Sequence, residues 1–122
     1  MTKTEFLEDT IQYFSAPNKR CVSDFGSCFY SPQNSDQTGC AIGRFMTPEN
    51  AQLADEIGGV DGLIYERMYA DYRSLIPEFM LEWEVDFLNN VQRLHDDSKY
   101  WKSGGLSEAG KKYVQEIKEN FL

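Results

Sequence analysis

The sequence is poor in the residues that build metal sites and disulfide frameworks. Only three of its 122 residues are cysteine and one is histidine, and no C-x-x-C or H-x-x-x-H spacing occurs. Structural zinc sites usually show such closely spaced pairs, and an odd number of cysteines suits a disulfide framework poorly. We therefore predict no bound metal, no cofactor, and reduced thiols in a cytoplasmic protein.

Positive charge and long apolar runs are also scarce. Twelve Lys and Arg residues against twenty Asp and Glu residues give a formal net charge of −8. Because affinity for nucleic acid comes largely from basic side chains that neutralise phosphates, we predict no nucleic-acid partner and favour a basic protein partner. No stretch approaches the ~18 apolar residues of a membrane helix. Glu5, Glu8 and Asp9 stand where a signal peptide would be hydrophobic, so we also predict no membrane association.

The composition is nevertheless that of a folded globule. Hydrophobic residues make up 41% of the chain and aromatic residues 14%. A domain of this length buries roughly two-thirds of its unfolded surface in one core. We predict a single α+β domain over residues 1–122, with a small antiparallel β-hairpin sheet packed against four or five α-helices.

The hairpin is predicted in the N-terminal half. Short strand-like runs between Cys21 and Tyr30 precede a polar loop, and Cys40–Phe45 has the pattern of a returning strand. Gly39 and Gly43 bracket Cys40 without forming any phosphate-loop motif. Glycines in that position indicate that another backbone approaches closely.

Helix signals occupy most of the remaining chain. Thr47-Pro48-Glu49 combines a hydroxyl N-cap, a proline in the first turn and an early acid, and Gly58-Gly59 ends that helix. The other predicted helices are a first one capped by Thr4, a segment from about Leu63 to Leu75, a long helix from Pro77 to about Asp97, and a last one capped by Ser107. The long helix carries an apolar stripe with a 3.6-residue period, made of Phe79, Trp83, Phe87, Val91, Leu94 and His95.

The cysteines and the single histidine are the candidates for chemistry. A register that pairs Cys28 with Cys40 places both thiols on one face of the hairpin, whereas a one-residue slip places them on opposite faces. The shared face would allow a metal site completed by Cys21 or His95, although buried thiols that act as small hydrophobes are the simpler interpretation.

An enzyme is the second interpretation of the same residues. Cys40 would be the nucleophile and His95 the base, with Asp96 or Asp97 orienting the imidazole. The alternative is that His95, which lies on the apolar stripe, is a partly buried histidine that closes the end of the long helix.

Two further patterns predict binding surfaces. Tyr65, Tyr69 and Tyr72 recur at helical spacing, which suits a buried helix, an oligomer interface or a ligand cleft. The predicted long helix also stacks carboxylates on one face, which is a solvated face, a surface for a basic partner, or an imitation of nucleic-acid phosphates. These carboxylates are Glu78, Glu82 and Asp86.

Three motifs together resemble a known group of proteins. The segments GSCFY, GCAIGRFM and FLNNVQRLHDDSKYW are similar, in order and separation, to elements of small uncharacterised proteins from tailed bacteriophages and prophage-carrying bacteria. The matching positions are Cys28, Tyr30, Cys40, Ala41, Ile42, Gly43, Gln92, His95 and Asp96. The resemblance implies a phage-type protein in the cytoplasm of a bacterial host, with Cys28 and Tyr30 among its binding residues. It also groups Cys28, Cys40, His95 and Asp96, which would meet if the hairpin packs on the end of the long helix. They would form either a functional site or a hydrogen-bonded structural contact in which His95 bridges the helix and the hairpin.

Two functions stay open on this basis. The first is an accessory protein that acts by binding, either engaging a host or defence protein or sequestering a small ligand, with possible homo-oligomers through the tyrosine helix. The second is a hydrolase or transferase that uses Cys40 and His95.

Overall fold

A computed structural model describes residues 1–16, 19–20, 29–33, 37–65 and 72–122, with the backbone alone at Asp61 and Tyr65. Within these ranges the chain forms five α-helices and one two-stranded antiparallel sheet. The helices are α1 (Lys3–Phe14), α2 (Pro48–Ile57), α3 (Val60–Tyr65), α4 (Val85–Asp96) and α5 (Glu108–Phe121), and the strands are β1 (Trp101–Lys102) and β2 (Gly105–Leu106). The predicted α+β class with a small hairpin is therefore confirmed.

The helix starts follow from side-chain caps. Thr47 and Ser107 cap α2 and α5 as predicted, each accepting a hydrogen bond from a backbone N–H of the first turn. The first helix begins earlier than predicted, because Thr2 rather than Thr4 is its N-cap. Thr2 and Glu5 form a capping box, in which each side chain binds the other residue's backbone N–H.

The hairpin lies at a different place from the predicted one. Trp101 pairs with Leu106 and Lys102 with Gly105, around a turn in which Gly104 has a φ of +86°. The predicted returning strand at Cys40–Phe45 is wrong, because this segment is a turn followed by the 3-10 helix Gly43–Phe45. Its predicted partner strands run between Cys21 and Tyr30; residues 21–28 lie outside the described residues, and Phe29 and Tyr30 are not in a strand.

The predicted long helix is divided in two. Glu78–Met80 forms a 3-10 helix, and α4 starts only at Val85, after Glu84 adopts an extended conformation with ψ of 137°. The break turns Trp83 toward the rings of Phe6, at 5.4 Å, and Phe87, at 5.7 Å. Tertiary packing of an aromatic side chain therefore overrides the helical pattern, and the repulsive spacing of three carboxylates on one helix face is avoided.

Helix α4 is the centre of the fold. It packs against α1, α3 and α5, and the C-terminal part of the predicted stripe is buried as expected: Phe87, Val91, Leu94 and His95 are fully buried. The predicted helix from Leu63 to Leu75 is corrected as well, because α3 starts at Val60 and residues Tyr72–Leu75 form a 3-10 helix.

Candidate functional site

The glycines that bracket Cys40 pack directly against the backbone of Tyr30. A Cβ atom on Gly43 would lie 2.1 Å from the Tyr30 carbonyl oxygen, and one on Gly39 would lie 2.3 Å from it. Beside them, the Cys40 N–H donates to the Phe29 carbonyl at 3.1 Å. The prediction that these glycines mark close approach of another backbone is confirmed.

Gln92 joins this segment to the central helix. Its Oε1 accepts a hydrogen bond from the Ile42 N–H at 3.0 Å, and its Nε2 donates to the Cys40 Sγ at 3.2 Å. The Cys40 Sγ also accepts from the Gly43 N–H at 3.4 Å. Because Cys40 and Ile42 are fully buried, the amide satisfies polar groups that water cannot reach.

His95 lies one helical turn after Gln92 and closes the end of α4. Its Nδ1 is 2.8 Å from an Asp96 carboxylate oxygen, and its ring packs edge-on against Phe14 at 4.6 Å between centroids. Arg20 covers the same helix end, because its Nε donates to the His95 carbonyl at 2.7 Å and its Nη2 to the Asp96 carbonyl at 3.0 Å. These bonds satisfy carbonyls that the helix itself leaves without partners.

Burial lowers the pKa of His95 below its ordinary value of 6.5. The neighbouring Asp96 carboxylate acts in the opposite direction, while the positive charges of Arg20 and Arg44 add to the lowering. The imidazole is therefore neutral in the folded protein at neutral pH. Its protonation inside the core is unfavourable, because burial disfavours the charged form.

This arrangement predicts a loss of stability in mild acid. Below about pH 6.5 the unfolded chain takes up a proton at His95 more readily than the folded chain does, so the free energy of unfolding falls, by at most ~1.4 kcal/mol per pH unit. Between pH 6.5 and 5, we expect urea denaturation to show a larger fall for the natural chain than for His95→Gln, which cannot titrate there, with a difference of at most about 1.6 kcal/mol. Parallel pH profiles for the two proteins would contradict this assignment.

Two of the three proposed catalytic groups, His95 and Asp96, are joined by a described hydrogen bond, and the Cys40 thiol has other partners. The Cys40 thiol binds Gln92 and Gly43, whereas the described hydrogen bond of the His95 ring goes to Asp96. Cys40 and His95 are both fully buried, and a reactive cysteine needs an accessible thiol. Catalysis by Cys40 and His95 would therefore require a conformational change that exposes their side chains.

Only two of the four proposed metal ligands, Cys40 and His95, lie within the described residues. Cys21 and Cys28 lie outside them, so the meeting of two thiols stays a prediction. Within the described ranges, no group of three or more His, Cys, Asp and Glu side chains is placed to hold a metal ion.

Asp55 is a structural residue that the sequence reasoning missed. Its carboxylate accepts from the backbone N–H groups of Tyr30, at 2.5 Å, and Ser31, at 3.3 Å, and also from the Ser31 hydroxyl. Tyr30, a predicted binding residue, is buried, and its hydroxyl donates to the Gly58 carbonyl at 2.8 Å. The only sequence signal for Asp55 was an acid on the inward side of α2.

The predicted tyrosine surface is only partly described. Tyr69 lies outside the described residues, and the side chain of Tyr65, the last residue of α3, is not described either. Tyr72 is half-buried in the 3-10 helix Tyr72–Leu75. The proposed oligomer interface through these tyrosines therefore stays a prediction.

The predicted stack of three carboxylates does not exist on one helix face, because the chain is not helical from 81 to 84. Asp86 lies in the first turn of α4, where an acid is favourable. Glu78 and Glu82 instead line a surface groove together with Met1, Phe79 and Trp83. We call these five residues the acidic aromatic groove.

The groove exposes Phe79, which the apolar stripe had assigned to the core. Phe79 is 37% exposed and Met1 54%, and the neighbouring Leu81 is 42% exposed. Among the described residues, these are three of the five large hydrophobic side chains that are exposed. Two of them, Met1 and Phe79, line the same groove, and exposed apolar side chains grouped in this way are typical of binding sites.

The groove rings of Phe79 and Trp83 are held in place by other aromatic side chains. Phe79 and Trp83 pack edge to face, with centroids 5.6 Å apart, and Phe45 packs against Phe79 at 5.5 Å. Trp83 in turn contacts the buried ring of Phe6. A preformed aromatic surface loses little conformational entropy when a partner binds.

No protein-family model matches the chain, and comparison with curated proteins and solved structures gives no match either. The resemblance to phage proteins therefore stays a prediction from the three motifs. In the part of the chain that the structure describes, no helix has the length and apolar character needed to cross a membrane.

Proposed function

We propose that this protein acts by binding another protein, and that the acidic aromatic groove is the contact surface. The observation that carries the proposal is the exposure of Phe79 beside half-buried Trp83, with the Glu78 and Glu82 carboxylates on the same groove. Following the resemblance, the partner is a host or defence protein in the cytoplasm of a bacterium.

Charge supports a basic partner surface. The chain carries a net charge of −8, and the exposed carboxylates of Glu78 and Glu82 make no ion pair within the described residues. Complementary charge would steer such a partner toward the groove and accelerate association. Binding driven by this charge would also weaken as salt is raised.

The proposal predicts that capture of the partner depends on the groove. The protein would carry an affinity tag at its C-terminus, because Met1 lines the groove, and would be incubated with lysate of the bacterium that carries the gene. We expect a captured protein to be retained by the natural chain and lost, at least tenfold, with Phe79→Ser and with Glu78→Gln/Glu82→Gln. Purified partner must then bind the purified chain directly.

The matched control is Glu8→Gln/Glu56→Gln. Both of these glutamates are exposed and lie on α1 and α2, and their replacement changes the net charge by the same amount as the groove variant. Capture that survives the control and fails with the groove variants supports the proposal. Equal capture by all four proteins would show that the groove is not the contact surface.

A further inference from the structure

We infer that the groove recognises an arginine side chain of its protein partner, with the guanidinium lying on the aromatic surface and bound by the groove carboxylates. This inference rests on the proposed function, because it names the chemical group that the same groove takes from its partner. Arginine carries a planar charge that stacks on rings and donates several hydrogen bonds in one plane, so it can satisfy rings and carboxylates at once.

The carboxylates on the groove are available for such a ligand. Three glutamates lie between residues 78 and 84, and one of them, Glu84, already pairs with Lys3 at 3.0 Å. Glu78 and Glu82 are both exposed, and neither carboxylate makes an ion pair or a hydrogen bond among the described residues. A single cation between them would relieve the repulsion of two like charges and replace it with two attractive contacts.

The chain itself contains an arginine held in the way we infer. The Arg44 guanidinium lies 4.4 Å from the Phe45 ring centroid and 4.8 Å from that of Tyr13, and its Nη2 is 2.5 Å from an Asp9 carboxylate oxygen. Phe45 is also the ring that packs against Phe79. The acidic aromatic groove therefore combines aromatic rings with carboxylates at the surface, as the surroundings of Arg44 do within the fold.

A lysine is held less closely in the same fold. Lys3 binds the Glu84 carboxylate, but its Nζ is 5.6 Å from the centroid of its ring neighbour, Phe87. The ammonium group is a compact, strongly hydrated charge that gains less from an aromatic face than the guanidinium does. The preference for arginine rests on this chemistry, since cation-to-ring distances in the fold overlap, from 4.4 to 5.9 Å for arginine and from 5.1 to 6.0 Å for lysine.

The inference is tested with short peptides that differ at one residue. The probes are Ac-Gly-Ser-Xaa-Ser-Gly-amide with arginine, lysine or citrulline as Xaa, citrulline being the neutral analogue of arginine. Binding is followed by NMR through the indole N–H signals of Trp83 and Trp101. Only Trp83 lines the groove, so Trp101 is an internal control.

We expect the arginine peptide to bind with a Kd in the millimolar range, which is ordinary for one side chain. The lysine peptide should bind at least threefold more weakly, and the citrulline peptide should not shift the Trp83 signal. Glu78→Gln/Glu82→Gln should weaken arginine binding at least tenfold, while Glu8→Gln/Glu56→Gln leaves it within twofold.

Two results with the peptides would overturn the inference. They are equal binding of the arginine and lysine peptides, and shifts of Trp83 that persist in the groove variant. If the partner protein is nevertheless lost with the groove variants, the proposed function stands without arginine recognition. A groove occupied by a second copy would instead appear as a dimer in light scattering that Phe79→Ser converts to a monomer, and this result would also overturn the inference.

Discussion

We expect Gly43→Ala to destabilise the protein more than the addition of a methyl group at any other position in its described core. The new Cβ would lie 2.1 Å from the Tyr30 carbonyl oxygen and 2.5 Å from the Tyr30 Cα. Both atoms belong to the backbone, so no rotamer change can relieve the contact. Overpacking a core usually costs about 1–3 kcal/mol, and a clash with backbone should lie at or above the upper end, at about 3 kcal/mol or more.

The measurement is guanidinium denaturation followed by tryptophan fluorescence, with Gly62→Ala as the matched control. Gly62 lies inside α3, where a Cβ would meet the Ile57 side chain at 3.5 Å and the Ile57 carbonyl oxygen at 4.0 Å, both ordinary contact distances. Because alanine is the better helix former by roughly 0.5–1 kcal/mol, this control should be neutral or stabilising. Equal free energies of unfolding for the two variants would show that residues 39–43 do not dock on Tyr30 as described.

The contrast between these glycines shows which parts of the fold could be predicted from the sequence. Residue types bracketing Cys40 predicted a close backbone contact, because only glycine permits one, but they could not identify Tyr30 as the neighbour. Caps at Thr47 and Ser107 were predictable because a cap depends on residues within one turn. The start of α1 was predicted wrongly, because Thr2 and Thr4 both fit the pattern of an N-cap. The capping box between Thr2 and the Glu5 side chain makes Thr2 the N-cap.

Elements that depend on distant residues were predicted less well. The helical period from Phe79 to His95 was real in α4, but the break before Val85 depends on how Trp83 packs against Phe6, which is far away in sequence. The same break moves Phe79 to the surface, so the groove could not be found from periodicity. Cys40–Phe45 has strand-like composition, yet its buried polar groups are satisfied by Gln92 on another element.

Substitutions at Gln92 are expected to have the second-largest effects, and Gln92→Leu is the first of them. Leucine has a similar volume but leaves the buried Ile42 N–H without its 3.0 Å partner and removes one of the two donors to the Cys40 Sγ. An unsatisfied buried donor costs about 1–3 kcal/mol, so we expect a loss of about 2–3 kcal/mol. The control is Gln52→Leu, an exposed position on α2, which should change stability by less than about 0.5 kcal/mol.

Gln92→Glu distinguishes a hydrogen-bonding role from a packing role, because the new side chain keeps the shape and an acceptor. At pH 7 the ionised carboxylate cannot donate to the Cys40 Sγ and must be desolvated, so this variant should be less stable than Gln92→Leu. Burial raises the pKa of such a carboxyl above about 4.3, so protonation favours the folded state as the pH falls. The deficit of Gln92→Glu relative to the natural chain should therefore shrink by at least 1 kcal/mol, roughly the effect of a one-unit pKa difference, between pH 7 and 5. A deficit that stays constant over this range would mean that the side chain at this position reaches water, and that the amide does not join the Cys40 segment to α4.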